Sequence, residues 1–304
     1  MIDVACRLLC AATCAYDIQP NGRFLPDVKP HYPTVGWSAE PTVHFAGLEN
    51  INACLIGTNQ NDGVILAFRG TLPPTNLDVL DQLLDWLQDF IAEPVAQPTI
   101  LPPAATVHRG FWDAVDSLWA QIVPALRTLL AVNPQAKLYI TGHSKGGAMA
   151  AIAAARLFFG ENVQAAGVFL YAPARAGNSI FGSSFPANLP VIRYEHYLDI
   201  VPFVPPRLSS IERIMQDLLG DRVGDAHNWD YAPLGTLRFI EEDGTVVGDE
   251  PFLTVIRLGQ ILQRVRTLDF VSIAKAHGPW CQCSLSDGGY MLGVCPNSIC
   301  AQPR

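Results

Sequence analysis

The stretch that most constrains the fold of this chain lies at residues 137–159, KLYITGHSKGGAMAAIAAARLFF. It begins with a β-branched and aromatic run and passes without a spacer through Gly-His-Ser-Lys-Gly-Gly into alanine-rich helical sequence. This order predicts a strand, a tight turn and a helix. A Gly-x-Ser-x-Gly turn in that setting presents one serine hydroxyl at the head of a sheet.

Ser144 occupies the centre of this turn, between Gly142 and Gly146. Glycine is expected at both positions because a side chain there would collide with the strand or helix passing alongside. The backbone N–H of Lys145 and the positive end of the helix dipole would point to where a negative oxygen forms during attack by the serine. The alternative is a glycine-rich turn without chemistry, since the short motif alone arises by chance. The strand before it and the helix after it favour a nucleophile.

Length and composition limit the classes of protein that need to be considered. The 304 residues suffice for one large domain, and we expect a single domain over residues 1–304. Apolar residues make up 49% of the chain, but the chain contains no run of 18 uncharged apolar residues. The sequence therefore predicts no transmembrane segment. The net charge of −8 argues against a nucleic-acid partner. Asp3 and Arg7 interrupt the apolar sequence at the start of the chain, so we expect a first helix there and no signal peptide. Without a signal peptide, the default expectation is a cytoplasmic protein.

Four short motifs occur in a recognisable order: VILAFRGT, DWLQDF, VHRGF and GHSKGG. From about residue 42 to the C-terminus, the chain resembles the class 3 lipases, a group that includes the filamentous-fungal lipases and feruloyl esterases. The resemblance implies an α/β-hydrolase fold, with a mostly parallel central sheet flanked by helices and a helical lid. It also implies a serine ester hydrolase that needs neither a cofactor nor a metal.

By the same resemblance, Thr71 and Lys145 would form the oxyanion hole through their backbone N–H groups. The position of Thr71 fits this role, because the end of a sheet strand lies beside the turn in an open α/β sheet. A capping threonine is the alternative. Lys145 departs from the leucine usual in the family, and its ammonium either favours the oxyanion further or extends to solvent.

The remaining triad members should follow the serine in the order acid, then base. Asp199 ends a strand-like segment and matches the family motif, so we predict it as the acid, with Glu195 as the runner-up. His277 resembles the catalytic histidine segment of the family, and His227 is the alternative. The chain departs from the family in one respect, since Tyr290 follows His277 by thirteen residues rather than a few.

Residues 76–92 form the most amphipathic stretch, with leucines at helical spacing on one side and four aspartates on the other. The family places its lid here, and the flanking prolines extend the lid candidate to residues 72–103. An ordinary surface helix is the alternative.

The eight cysteines fall into two groups and one single residue. Three recur every four residues along the first helix, where we expect buried free thiols: Cys6, Cys10 and Cys14. Cys54 belongs to a predicted strand. Four lie in the C-terminal segment, residues 278–304, and favour disulfides if the protein is exported: Cys281, Cys283, Cys295 and Cys300. Their spacing lacks the paired pattern of zinc sites, and we predict no metal. The family resemblance favours export, against the cytoplasmic default, so the sequence leaves the compartment open.

The motifs therefore predict an ester substrate, most naturally a lipid such as a triacylglycerol at an oil–water interface. An esterase for short-chain or feruloyl-type aromatic esters is the alternative, because the same fold and triad serve both. A binding protein without catalysis on the same fold is a third hypothesis. The sequence does not predict the oligomeric state.

Overall fold

The computed structural model describes residues 3–25, 31–71, 94–96, 100–205, 230–279 and 289–296. The strands within these ranges are β1 (Thr42–Ala46), β2 (Asn52–Asn59), β3 (Gly63–Phe68), β4 (Pro94–Ala96), β5 (Thr106–His108), β6 (Leu138–His143), β7 (Gly167–Tyr171), β8 (Gly177–Asn178), β9 (Val191–His196), β10 (Tyr231–Ala232), β11 (Thr236–Ile240) and β12 (Val246–Val247). The helices are α1 (Val4–Cys14), α2 (His31–Val35), α3 (Arg109–Val132), α4 (Lys145–Glu161), α5 (Ser179–Ser183), α6 (Leu253–Arg266), α7 (Phe270–His277) and α8 (Gly289–Val294).

Eight strands form the central sheet in the order β1-β2-β3-β6-β7-β9-β11-β12. The four inner pairs, from β3 to β11, are parallel, and the outer pairs are antiparallel. A separate antiparallel sheet has the order β10-β8-β5-β4. The architecture is thus an α/β-hydrolase fold, as the sequence predicted, with a mostly parallel central sheet between helices.

Helices cover both faces of this sheet, and β3 shows how its residues divide between them. Val64, Leu66 and Phe68 join the core that α3 and α4 complete, whereas Ile65 and Ala67 join the core under α1 and α8. Because both faces are buried, the strand reads as one continuous apolar run instead of an alternating one.

The predicted free-thiol state of the first helix is wrong for Cys6. Cys6 in α1 forms a disulfide with Cys295, which directly follows α8, and the two Cα atoms are 5.0 Å apart. Cys10 and Cys14 are buried free thiols, as expected, and Cys54 is another buried free thiol. The error has a physical cause, since helical spacing fixes which face of α1 the sulfur occupies but not which distant segment packs there.

α3 is the one helix of the described part of the chain that is long and apolar enough to cross a membrane, judged by length and composition alone. Its mean hydropathy reaches 1.2 over 18 residues. The side chains that it buries pack against the sheet and α4, and they are Phe111, Trp112, Ala114, Val115, Leu118, Ile122 and Leu126. Core helices pass the same test, so this is weak evidence for a membrane segment.

Candidate active site

Ser144 joins β6 to α4 in a backbone conformation that side chains rarely adopt, with φ +61° and ψ −129°. The glycines on either side allow the close packing that this turn requires. A Cβ on Gly142 would lie 2.1 Å from the Gly146 carbonyl oxygen, and one on Gly146 would lie 2.4 Å from the Phe68 carbonyl oxygen. The turn therefore holds the serine in a strained conformation, as expected where the surrounding structure serves a functional site.

The Ser144 side chain is buried, and its Oγ makes no hydrogen bond with any residue that the structure describes. A buried hydroxyl normally finds a partner, so one without a partner invites a functional explanation. Nucleophile–base hydrogen bonds are often long in the absence of substrate and tighten when substrate binds.

Asp199 and His277 form a hydrogen-bonded pair. The His277 Nδ1 lies 3.0 Å from each carboxylate oxygen of Asp199. Asp199 is fully buried, and His277 is 8% exposed. An imidazole held at Nδ1 by a carboxylate has its Nε2 available for proton transfer, which is the arrangement of an acid–base pair in a serine hydrolase.

The carboxylate of Asp199 accepts two further hydrogen bonds. The Tyr290 hydroxyl donates to Oδ2 at 2.5 Å, and the Val201 N–H donates to Oδ1 at 3.0 Å. Burial first and then the nearby Asp199 raise the pKa of Tyr290 well above its usual value, so the phenol keeps its proton. The carboxylate thus has donors on both oxygens, which fix its orientation toward His277.

Glu195, the runner-up for the acid, is engaged elsewhere. Its carboxylate binds Arg193 at 2.7 Å and also the Arg257 guanidinium. Burial raises the pKa of Glu195, but the charges and hydrogen bonds of these two arginines bring it below its usual value overall. His227, the alternative base, lies outside the described residues.

Of the two predicted oxyanion residues, one follows Ser144 in the chain and the other belongs to a separate segment beside it. Lys145 follows it as the first residue of α4, and its Nζ donates to the Asn52 Oδ1 at 2.8 Å. Thr71 directly follows Gly70, where a Cβ would lie 3.1 Å from the Ser144 Cβ. The segment that carries Thr71 therefore passes beside the serine.

Part of the chain matches a known protein family. Residues 65–209 match the family model described as Lipase (class 3). Over this segment, just under half of its length, the chain is similar to the class 3 lipases. Among curated members, it is 31% identical to the "Secreted mono- and diacylglycerol lipase A" of Penicillium cyclopium over 48% of this chain and 44% of that protein. It is 33% identical to the "Lipase" of Rhizopus niveus over 34% of this chain and 27% of that protein. The chain thus covers less than half the length of each of these relatives.

Solved structures of lipases share the fold of this chain. A structure described as "a serine protease triad forms the catalytic centre of a triacylglycerol lipase" aligns with a TM-score of 0.57 at 19% identity, over 78% of each chain. A triacylglycerol lipase from Penicillium expansum aligns with a TM-score of 0.56 at 17% identity, over 83% of this chain and 85% of that one. At such identities the likeness concerns the fold alone.

Sequence reasoning missed the contacts of two tyrosines. In the sequence, Tyr290 stands out only by its unusual distance from His277, and nothing there indicates that it donates to Asp199. Tyr16 has no local motif at all, yet its hydroxyl lies 2.8 Å from the Nδ1 of His143, the residue before the serine. An N-terminal tyrosine just after an apolar helix is the only sequence signal, and it does not point to the site.

Two groups of side chains in the described ranges have the chemistry of metal ligands. The first consists of Cys6, Cys10 and Cys295, of which two are joined in the disulfide. The second consists of Cys14, Asp17 and His31, where the Asp17 Oδ2 and the His31 Nε2 already pair at 3.0 Å. This contact already gives the buried Asp17 and His31 side chains a polar partner.

Proposed function

We propose that this chain is a serine carboxylic-ester hydrolase with the triad Ser144, His277 and Asp199. The observation that carries the proposal is the buried pair of Asp199 and His277, in which both carboxylate oxygens lie 3.0 Å from Nδ1. A strained, buried serine on the family turn supplies the nucleophile that such a pair activates.

In the proposed reaction, the Ser144 hydroxyl attacks the ester carbonyl while His277 Nε2 takes its proton. Asp199 holds the imidazole in the required tautomer and stabilises the imidazolium. The N–H groups of Thr71 and Lys145 bind the negative oxygen of the tetrahedral intermediate. His277 then gives the proton to the departing alcohol, and water releases the acid from the acyl-enzyme by the same steps.

The substrate proposed first is a lipid ester presented at an oil–water interface, in particular an acylglycerol. The names of the relatives support this class, since they are called lipases of mono- and diacylglycerols or of triacylglycerols. The lid candidate, residues 72–103, falls mostly outside the described residues and stays a prediction. The single-domain organisation over residues 1–304 is likewise part of the proposal.

An extracellular location is proposed in place of the cytoplasmic default. The disulfide between Cys6 and Cys295 is the structural support, because disulfides persist in oxidising compartments. The secreted relatives point the same way.

The test is hydrolysis of p-nitrophenyl esters from acetate to palmitate and of an emulsified long-chain triacylglycerol on both sides of its solubility limit. A lipase hydrolyses the long chains and speeds up once droplets appear. A preference for short chains without that increase would make the chain an esterase for soluble esters. No hydrolysis of any ester would contradict the proposal and favour a binding protein.

A further inference from the structure

Tyr16 lies in the short turn Ala15–Asp17 after α1, far from the triad in sequence but joined to it by two hydrogen bonds. Its Oη lies 2.8 Å from the His143 Nδ1. The Nε2 of the same imidazole lies 2.7 Å from the main-chain oxygen of His277. The proposed base is therefore connected through its backbone to the residue that precedes the nucleophile.

The direction of both hydrogen bonds follows from the chemistry of the groups. A carbonyl oxygen only accepts, so the His143 Nε2 carries the proton and donates to His277. Burial and then the neighbouring His277 lower the pKa of His143 well below 6.5, which keeps the ring neutral. Its Nδ1 consequently has a lone pair and accepts from the Tyr16 hydroxyl.

Tyr16 also contacts the segment that carries Thr71. A Cβ on Gly70 would lie only 2.1 Å from the Tyr16 Oη, so the hydroxyl packs directly against this backbone. Burial raises the pKa of Tyr16, an effect that the charge of Arg69 and a hydrogen bond with the Gly70 backbone partly offset. The neutral Tyr16 hydroxyl thus contacts both His143 and the backbone of Gly70, which precedes the predicted oxyanion residue Thr71.

The bond to His277 matters because of where this residue lies. His277 is the last residue of α7, and the last carbonyls of a helix have no partner within it. Asp199 fixes the imidazole ring at one end, and His143 supplies the donor that fixes the main chain at the other. The rings of His143 and His277 are also in contact, with centroids 4.6 Å apart.

We infer that Tyr16 and His143 are positioning residues that hold the backbone of His277 in place relative to Ser144 and set the approach of the Gly70–Thr71 segment. Both act through the groups that they hold, which are the main chain of His277 and the Gly70–Thr71 backbone. The inference rests on the proposed ester hydrolysis.

The first test compares Tyr16→Phe with wild type in p-nitrophenyl ester hydrolysis. Loss of the hydroxyl is expected to lower kcat about tenfold and leave KM unchanged, because small misplacements of a catalytic group cost rate instead of binding. Tyr171→Phe is the matched control. Tyr171 is also fully buried, and its hydroxyl donates to the Ala5 carbonyl oxygen at 2.5 Å, so this variant loses an equivalent bond and keeps the wild-type kcat.

Variants of His143 test the same connection from the other side. His143→Gln retains an N–H donor that can reach the His277 carbonyl oxygen, whereas His143→Leu retains none, so kcat should fall further in the leucine variant. Adding Tyr16→Phe to His143→Leu should lower kcat by a smaller factor than Tyr16→Phe does in wild type, because the hydrogen bond to His143 is already gone and only the contact with the Gly70 backbone is left to lose. If Tyr16→Phe does not fold, the test depends on the two His143 variants. A lower kcat in His143→Leu than in His143→Gln then supports the inference, and equal kcat values contradict it.

Three results overturn the inference: a wild-type kcat in Tyr16→Phe, an equal loss in Tyr171→Phe, or additive effects in the double variant. The proposed function fails in a different way, since wild type would then hydrolyse no ester, and the inference would fall with it.

Discussion

At the scale of single residues, Tyr290 offers the most direct prediction about the acid of the triad. Tyr290→Phe removes the donor to the Asp199 Oδ2 and leaves that carboxylate oxygen without it in a fully buried position. The His277 Nδ1 then remains the partner of Oδ2, but a hydrogen bond to a charged group is worth about 1.5–3 kcal/mol, so we expect kcat/KM for ester hydrolysis to fall about 10-fold or more.

The control for this prediction is Tyr171→Phe, which removes a buried hydroxyl that does not contact Asp199. If Tyr290→Phe keeps the wild-type kcat/KM, the hydroxyl does not help to orient the acid.

Local motifs predicted Ser144 and Asp199 because each sits at the end of a strand with a characteristic neighbourhood. The two tyrosines could not be predicted, since Tyr16 is separated from His143 by 127 residues and Tyr290 from Asp199 by 91. Such contacts depend on how α1 and α8 pack on the sheet. A pattern within one segment carries no information about that packing.

At the scale of elements, the close approach of α4 to β3 is the feature that places the serine. Gly146→Ala would put a Cβ 2.4 Å from the Phe68 carbonyl oxygen, and backbone on both sides would have to move. We expect loss of folding or a destabilisation of about 2 kcal/mol or more in urea unfolding, together with loss of activity.

Gly160→Ala in the same helix is the matched control. Its Cβ would lie 3.7 Å from Ile100 Cγ2, which is ordinary contact, and the added methyl favours helix by up to about 1 kcal/mol. Equal stability of the two variants would show that α4 does not need the glycine for its approach.

The disulfide between α1 and the end of α8 makes a second prediction at this scale. Cys295→Ser opens a bond that closes a loop of 289 residues, and removing such a bond costs about 2–5 kcal/mol. A reductant should lower the Tm of wild type by more than it lowers that of the variant. A wild-type Tm that does not respond to reductant would mean that the bond does not contribute to stability.

At the scale of the whole molecule, buried histidines make stability depend on pH. Burial lowers the pKa of both His143 and His196 below 6.5, so the folded state keeps them neutral while the unfolded chain takes up protons below about 6.5. Stability should therefore fall as the pH drops from 6.5 toward the lowered folded-state pKa values, by up to about 1.4 kcal/mol per pH unit for each histidine.

Urea unfolding at a series of pH values from 7 to 5 measures this slope. His196→Gln removes one of the two groups and should reduce the slope by about one proton. An unchanged slope in that variant would show that His196 already titrates normally in the folded state.

The overall architecture was predictable from the sequence to a large extent. Buried parallel strands such as β3 and β6 appear as short β-branched runs with turn residues around them, and the family motifs implied the mostly parallel sheet to which they belong. The pairing of Cys6 with Cys295 was not predictable, because it joins the two ends of the chain across a face of the sheet that no local pattern reveals.

The most direct measurement of the central claim is stoichiometric labelling by a serine-directed phosphonate, with the labelled peptide identified by mass. The account predicts one label per chain on Ser144 in wild type and none in Ser144→Ala. His277→Ala should be labelled far more slowly, because the serine loses the base that takes its proton. Equal labelling of wild type and Ser144→Ala, or no labelling of a wild type that hydrolyses esters, would contradict the assignment of Ser144 as the nucleophile.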